Sequence, residues 1–206
     1  MPSRREFLQH GLTAATAAAL LPVAPEAFPW PSAEARGDRH RPFLMLYDAA
    51  IPAGPAFGAA AARHGVPVRA FAGDAGHLFM RAILPRLETR PAPLAGLTAG
   101  PTTFCLEYLA RPHGLRVVYR VEHTPTRSGR LRHRLMGPEA LSDLAVALSG
   151  VGDRWPELTA ELAAECPASV RANASIELLD LAARHRHGAE SIYTWLMAPA
   201  GLPPSL

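Results

Sequence analysis

The sequence predicts an α/β protein: a doubly wound, largely parallel sheet with helices on both faces, followed by a C-terminal hairpin plus helices. Two observations carry this. Short apolar runs near residues 44, 68, 94 and 117 alternate with three stretches of helical periodicity, the rhythm of a layered α/β domain. Leu94–His123 then supplies one complete βαβ unit of strand, Gly-Pro break, helix and strand.

The elements follow in order. Phe43–Tyr47 reads as a strand buried on both faces, ending at Asp48. Gly54-Pro55 opens a helix over Ala56–His64, closed by Gly65. Val68–Phe71 is the next strand. Asp74 N-caps the helix behind it, because its carboxylate accepts from free N–H groups of the first turn. That helix runs to about Leu84, where Pro85 ends or kinks it, and Glu88–Pro93 is a loop. In the βαβ unit, Leu94–Thr98 is the first strand. Pro101 suits the first helical position, and Phe104, Leu106, Tyr108, Leu109 and Ala110 give Thr102–His113 its apolar face. Gly114 stops the helix, and Leu115–Glu122, with Val117-Val118-Tyr119, favours a pleated strand. A crossover of this length makes its two strands parallel.

Beyond Glu122 the pattern changes. Thr124–Gly129 is a turn, and Leu131–Met136 alternates apolar and basic, as in an edge hairpin with Arg130, Arg132 and Arg134 outward. Arg127 and His133 complete this basic patch. Glu139–Leu148 and Trp155–Glu165 read as amphipathic helices, Ser169–His187 as partly helical, and Ile192–Met197 as a last strand.

At the N-terminus, Ser3-Arg4-Arg5-Glu6-Phe7-Leu8 precedes the uncharged apolar run Gly11–Val23. These residues resemble the twin-arginine (Tat) export signal. The run is about 13 residues long, short of the roughly 20 that span a bilayer. The resemblance implies the Tat translocase as a partner during export, a periplasmic destination, and a body that crosses the membrane already folded, often with a cofactor inserted beforehand. Ala33-Glu34-Ala35 offers a cleavage site, with Ala15-Thr16-Ala17 a weaker match inside the apolar run. Retention as an uncleaved membrane anchor stays open. The expected organisation is a signal over 1–35, a linker over 36–42 and a single α/β domain over 43–206.

Composition excludes several chemistries. All 21 basic residues are arginine. Without lysine there is no Walker A phosphate loop, no Schiff base and no lysine general base. No G-x-G-x-x-G, G-x-S-x-G or H-E-x-x-H occurs, and a formal charge of +3 is too weak to argue for nucleic acid. The two cysteines, Cys105 and Cys166, could pair in an oxidising compartment if their geometry allowed.

Candidate site residues come from one rule: in open α/β sheets ligands bind beyond the carboxyl ends of the strands, at the switch point. Asp48, Thr98, Gly100, Thr102, Thr103 and Glu122 fall there, with Asp74 and His123 nearby. Each also serves as a cap or turn former. The expected ligand is small and polar, held between Asp48 and the free amides of Thr102 and Thr103, with Glu122 at the rim. Cys105 with His123 and Glu122 would make a nucleophile, base and orienter, but its apolar neighbours and its position past the first helical turn fit a buried structural cysteine better. His77, His123, Asp48, Asp74 and Glu122 lack metal-ligand spacing, so no metal is assigned. His185-Arg186-His187 reads as a solvated helix end.

No catalytic residue and no cofactor is identified by any of these patterns. They favour a periplasmic protein that binds a small ligand or cofactor, or is accessory to an exported enzyme. A small hydrolase or transferase acting at the strand ends, and a structural subunit of an exported complex, are the alternatives.

Overall fold

A computed structural model describes residues 41–126, 130–138, 141–165, 174–184 and 191–200, with the backbone alone over 174–184. The expected signal, most of the linker, Arg127, Cys166 and His185-Arg186-His187 lie outside these residues. The described part is a mixed α/β protein built on one seven-stranded sheet in the order β2-β1-β3-β7-β4-β5-β6. The strands are β1 (Leu44–Asp48), β2 (Val68–Phe71), β3 (Leu94–Ala99), β4 (Leu115–Pro125), β5 (Arg130–Gly137), β6 (Ala174–Arg184) and β7 (Ile192–Pro199).

The first half follows the expected alternation. Helix α1 (Gly54–Arg63) carries proline in its first turn, and Gly65 after it has φ of 71°. Gly54 and Gly58 lie one turn apart on α1 because the Tyr47 ring of β1 rests on them. A Cβ at Gly54 would come within 2.6 Å of Tyr47 Cδ2, and one at Gly58 would overlap the ring. Asp74 caps α2 (Ala75–Leu78), its Oδ1 accepting from the Gly76 and His77 amides at 2.8 and 3.2 Å. Pro85 does not end this helix. A π-helical turn, Phe79–Ile83, precedes it and leads into α3 (Leu84–Thr89), so Glu88 and Thr89 are helical rather than loop. The wider turn absorbs the proline that a regular helix would reject.

Helix α4 (Gly100–Ala110) runs through a 3-10 turn, Arg111–His113, to Gly114 at φ 82°. Here the sequence expectation needs correction. Strands β3 and β4 point the same way, but they are not neighbours. β7 lies between them, antiparallel to both. Only β1–β2 and β1–β3 pair in parallel, and every other pairing is antiparallel, so the sheet is mixed rather than largely parallel. A crossover fixes strand direction and leaves room for a later strand to enter the gap.

The hairpin β4–β5 forms as expected, with Arg130, Arg132 and Arg134 exposed and Leu131 and Leu135 buried. It is not an edge, because β6 pairs along β5. The partly helical stretch expected over Ser169–His187 contains this β6 strand instead. His133, expected in the basic patch, is fully buried on the other face of β5. Helices α5 (Ser142–Gly150) and α6 (Trp155–Glu165) close the described chain between β5 and β6.

One core cluster joins Leu46, Leu94, Trp195 and Met197 of the sheet to Phe79, Ile83 and Leu106 of the helices. Gly96 of β3 leaves space for the Trp195 indole, which a Cβ would approach to 2.7 Å.

Candidate functional site

The carboxyl ends of β1 and β3 lie side by side, since Tyr47 pairs with Leu97, and Asp48 therefore sits next to Thr98. The two expected halves of the ligand site share one end of the sheet. Their side chains are already engaged. Asp48 Oδ1 accepts from the Ala50 amide at 2.9 Å and closes its own turn. Thr98 is fully buried in a hydrogen-bonded chain. Trp195 Nε1–H donates to Thr98 Oγ1 at 2.9 Å, the two hydroxyls of Thr98 and Thr103 meet at 2.7 Å, and Thr103 donates to the Ala99 carbonyl at 3.0 Å. Because the Thr103 proton goes to Ala99, the Thr98 hydroxyl must donate to Thr103. The chain is closed. It pins the start of α4 to β7 and leaves Thr98 out of a ligand's reach. Thr102 is half-buried in the first turn of α4.

A cleft of about 240 Å³ opens beside that turn, lined by Gly100, Thr103, Phe104 and Glu107 of α4, Arg120 of β4 and Tyr193 of β7. Glycine at position 100 admits the tyrosine ring, since a Cβ there would sit 3.2 Å from Tyr193 Cε2. Tyr193 OH donates to Glu122 Oε1 at 3.0 Å. Burial first, then the Glu122 carboxylate beside it, hold the phenol above its usual range, so it stays a donor. Three of the expected residues, Gly100, Thr103 and Glu122, thus gather at or beside this cleft, while Asp48 and Thr98 serve the fold.

The outer wall is apolar. Phe104 and Tyr108, one turn apart on α4, are each 71 % exposed. Cys105 between them is a free, half-buried thiol rather than a fully buried one. On the sheet floor, Arg120 and Glu122 of β4 pair in register with Met136 and Arg134 of β5.

Behind Glu122, on the opposite face, lies a buried histidine pair. His123 and His133 are register partners across the hairpin, both fully buried, with Nδ1 atoms 2.6 Å apart. His123 Nε2 meets Thr194 Oγ1 at 3.0 Å, Thr194 donates to Thr159 Oγ1 at 3.3 Å, and Thr159 donates to the Trp155 carbonyl at 2.9 Å. These directions fix the tautomers. The Thr194 proton is committed to Thr159, so His123 Nε2 carries a hydrogen and its Nδ1 accepts from His133 Nδ1–H. The Trp155 ring covers His123 at a centroid distance of 4.0 Å. Burial, and secondly the neighbouring His133, hold the His123 pKa well below its usual value.

The triad Cys105–His123–Glu122 is therefore not assembled, because Glu122 turns to Tyr193 and His123 turns to His133. The histidine pair was within reach of the sequence: Leu131, His133 and Leu135 share one parity on a strand, and parity decides burial. Tyr193 and Trp195 were not, because only the insertion of β7 brings them here. Among the described residues, no group of three His, Cys, Asp or Glu side chains is placed to hold a metal ion, and no helix is long and apolar enough to cross a membrane.

No protein-family model, curated protein or solved structure matches this chain. Its functional reading rests on its own geometry.

Proposed function

We propose that this chain is an exported binding protein that grips a partner protein through the surface made by α4 and strands β4 and β7. The carrying observation is the pair Phe104 and Tyr108, each 71 % exposed on one side of a helix and bordering a cleft floored by Arg120. Water around two large rings is costly, at roughly 25 cal/mol per Å² of apolar surface. Aromatic residues and arginine are also the side chains that concentrate binding energy at interfaces. The partner segment would offer an apolar side chain to the rings and a carboxylate to Arg120, with the exposed Arg130, Arg132 and Arg134 favouring acidic surroundings. In this reading the Tat-like signal delivers the folded chain to the periplasm, where it acts as accessory to an exported enzyme, released or held at the membrane by an uncleaved signal.

A finer view of the fold supports the surface. Leu46 joins the cluster with α4, whereas its neighbour Tyr47 packs on α1, and successive strand residues point to opposite faces. This reads as a doubly wound first half with helices on both faces. The antiparallel strands β4 and β5 then extend past α4, with Arg130, Arg132 and Arg134 exposed.

A second reading keeps the cleft for a small polar anion between Arg120, Tyr193 and the first turn of α4. What favours it is the joining of a guanidinium and a phenol with the exposed start of an 11-residue helix. A photo-crosslinking residue in place of Phe104 separates the two. A discrete adduct in the periplasm, absent when the same residue replaces the exposed Val146, supports the partner. No adduct, with a small molecule retained on the purified protein, supports the ligand.

A further inference from the structure

At the other end of the sheet, beyond the amino ends of β1 and β3, lies a second cavity of about 330 Å³. Three arginines from two segments line it: Arg41 ahead of β1, and Arg86 in α3 with Arg90 one turn on at the end of that helix. Much of the remaining wall is proline, at positions 42, 67, 91 and 93, and proline has no N–H to donate. Several neighbouring amides are committed. Phe43 donates to the Pro93 carbonyl at 2.8 Å, Gly65 to Ala62 at 2.9 Å and Val66 to Ala61 at 3.2 Å. The guanidinium groups are the strong donors left facing this space.

No aspartate or glutamate lines the cavity, and among the described residues no carboxylate pairs with Arg41, Arg86 or Arg90. Arg41 also donates to the His64 carbonyl, which fixes its direction. A bound anion would offset the three like charges that line this one space. Planar guanidinium forks match oxygen pairs, and a site with several of them favours phosphate, which carries more charge than one carboxylate.

We propose that this arginine-lined cavity binds a phosphate group, carried either by a soluble ligand or by a lipid headgroup. It is separate from the cleft beside the start of α4, which lies past the carboxyl end of β3.

The test uses the exported chain and two probes. Inorganic phosphate is titrated by calorimetry, and vesicles containing phosphatidylglycerol are compared in flotation with vesicles of phosphatidylcholine alone. Arg86→Gln with Arg90→Gln removes two exposed guanidinium groups, and its Tm without phosphate should match wild type. Arg69→Gln with Arg111→Gln makes the same charge change elsewhere on the exposed surface. At least one probe should bind, at least tenfold more weakly to the cavity variant than to the control variant. Phosphate alone assigns a soluble ligand, and vesicles alone assign a headgroup. Failure of both probes to bind, or equal losses in the two variants, overturns the proposal.

Discussion

His123 and His133 face each other Nδ1 to Nδ1 at 2.6 Å, so one hydrogen lies between two fully buried rings. A proton added to His123 Nδ1 would set two N–H groups against each other. Unfolded, His123 takes a proton near pH 6.5; folded, it resists, with its pKa held well below that value. As pH falls below about 6.5 the unfolded state binds more protons than the native state. The stability supplied by the neutral imidazole is complete above that pH and is lost on acidification, with a slope of up to about 1.4 kcal/mol per pH unit. Urea unfolding followed through tryptophan fluorescence should give a lower midpoint at pH 5.5 than at pH 7.5. His123→Gln should lower both midpoints and narrow the difference between them.

The closed chain from Trp195 through Thr98 to Thr103 makes Thr98 a structural residue. Thr98→Val leaves the buried indole N–H without its acceptor and should cost about 1–3 kcal/mol. Thr98→Ser keeps the hydroxyl and should cost less. Equal losses in the two variants would show that shape, not the hydrogen bond, matters at this position.

Gly96 is the point where β3 makes room for Trp195. A Cβ would meet Trp195 Cζ2 at 2.7 Å and the Leu46 carbonyl at 3.0 Å, and the indole is held by Thr98. Gly96→Ala should destabilise by about 1–3 kcal/mol through overpacking. Thermal unfolding that matches wild type would contradict this packing.

The proposed export would depend on Ser3–Leu8 ahead of an uncharged run. Arg4→Lys together with Arg5→Lys should leave the folded protein in the cytoplasm, read by fractionation. An unchanged periplasmic yield would count against a twin-arginine route.

Much of the first half was legible because its signals are local. Asp74 capping its helix, Gly114 ending the next one and proline in the first turn of α4 each act within a few residues. What stayed hidden depends on distant pairing. Ala174–Arg184 is rich in alanine and leucine, which favour helix, yet it is drawn into a strand along β5. Ile192–Pro199 was readable as a strand, but its place between β3 and β4 was not, since nothing local encodes a partner 69 or more residues away. The site divided the same way. Strand-end polarity pointed to the end of the sheet where Gly100 and Thr103 line the cleft and Glu122 accepts from Tyr193. The cleft's defining groups, Arg120 and Tyr193, needed the sheet order.

The account turns on whether Phe104 and Tyr108 are covered in the periplasm. The most direct measurement is native mass spectrometry of the protein purified from its own periplasm, beside a Phe104→Asp, Tyr108→Ser variant whose Tm is first shown to equal wild type. The account predicts a stoichiometric complex with a protein partner for wild type and the lone chain for the variant. A lone chain in both samples, or a complex that survives the double substitution, would contradict it.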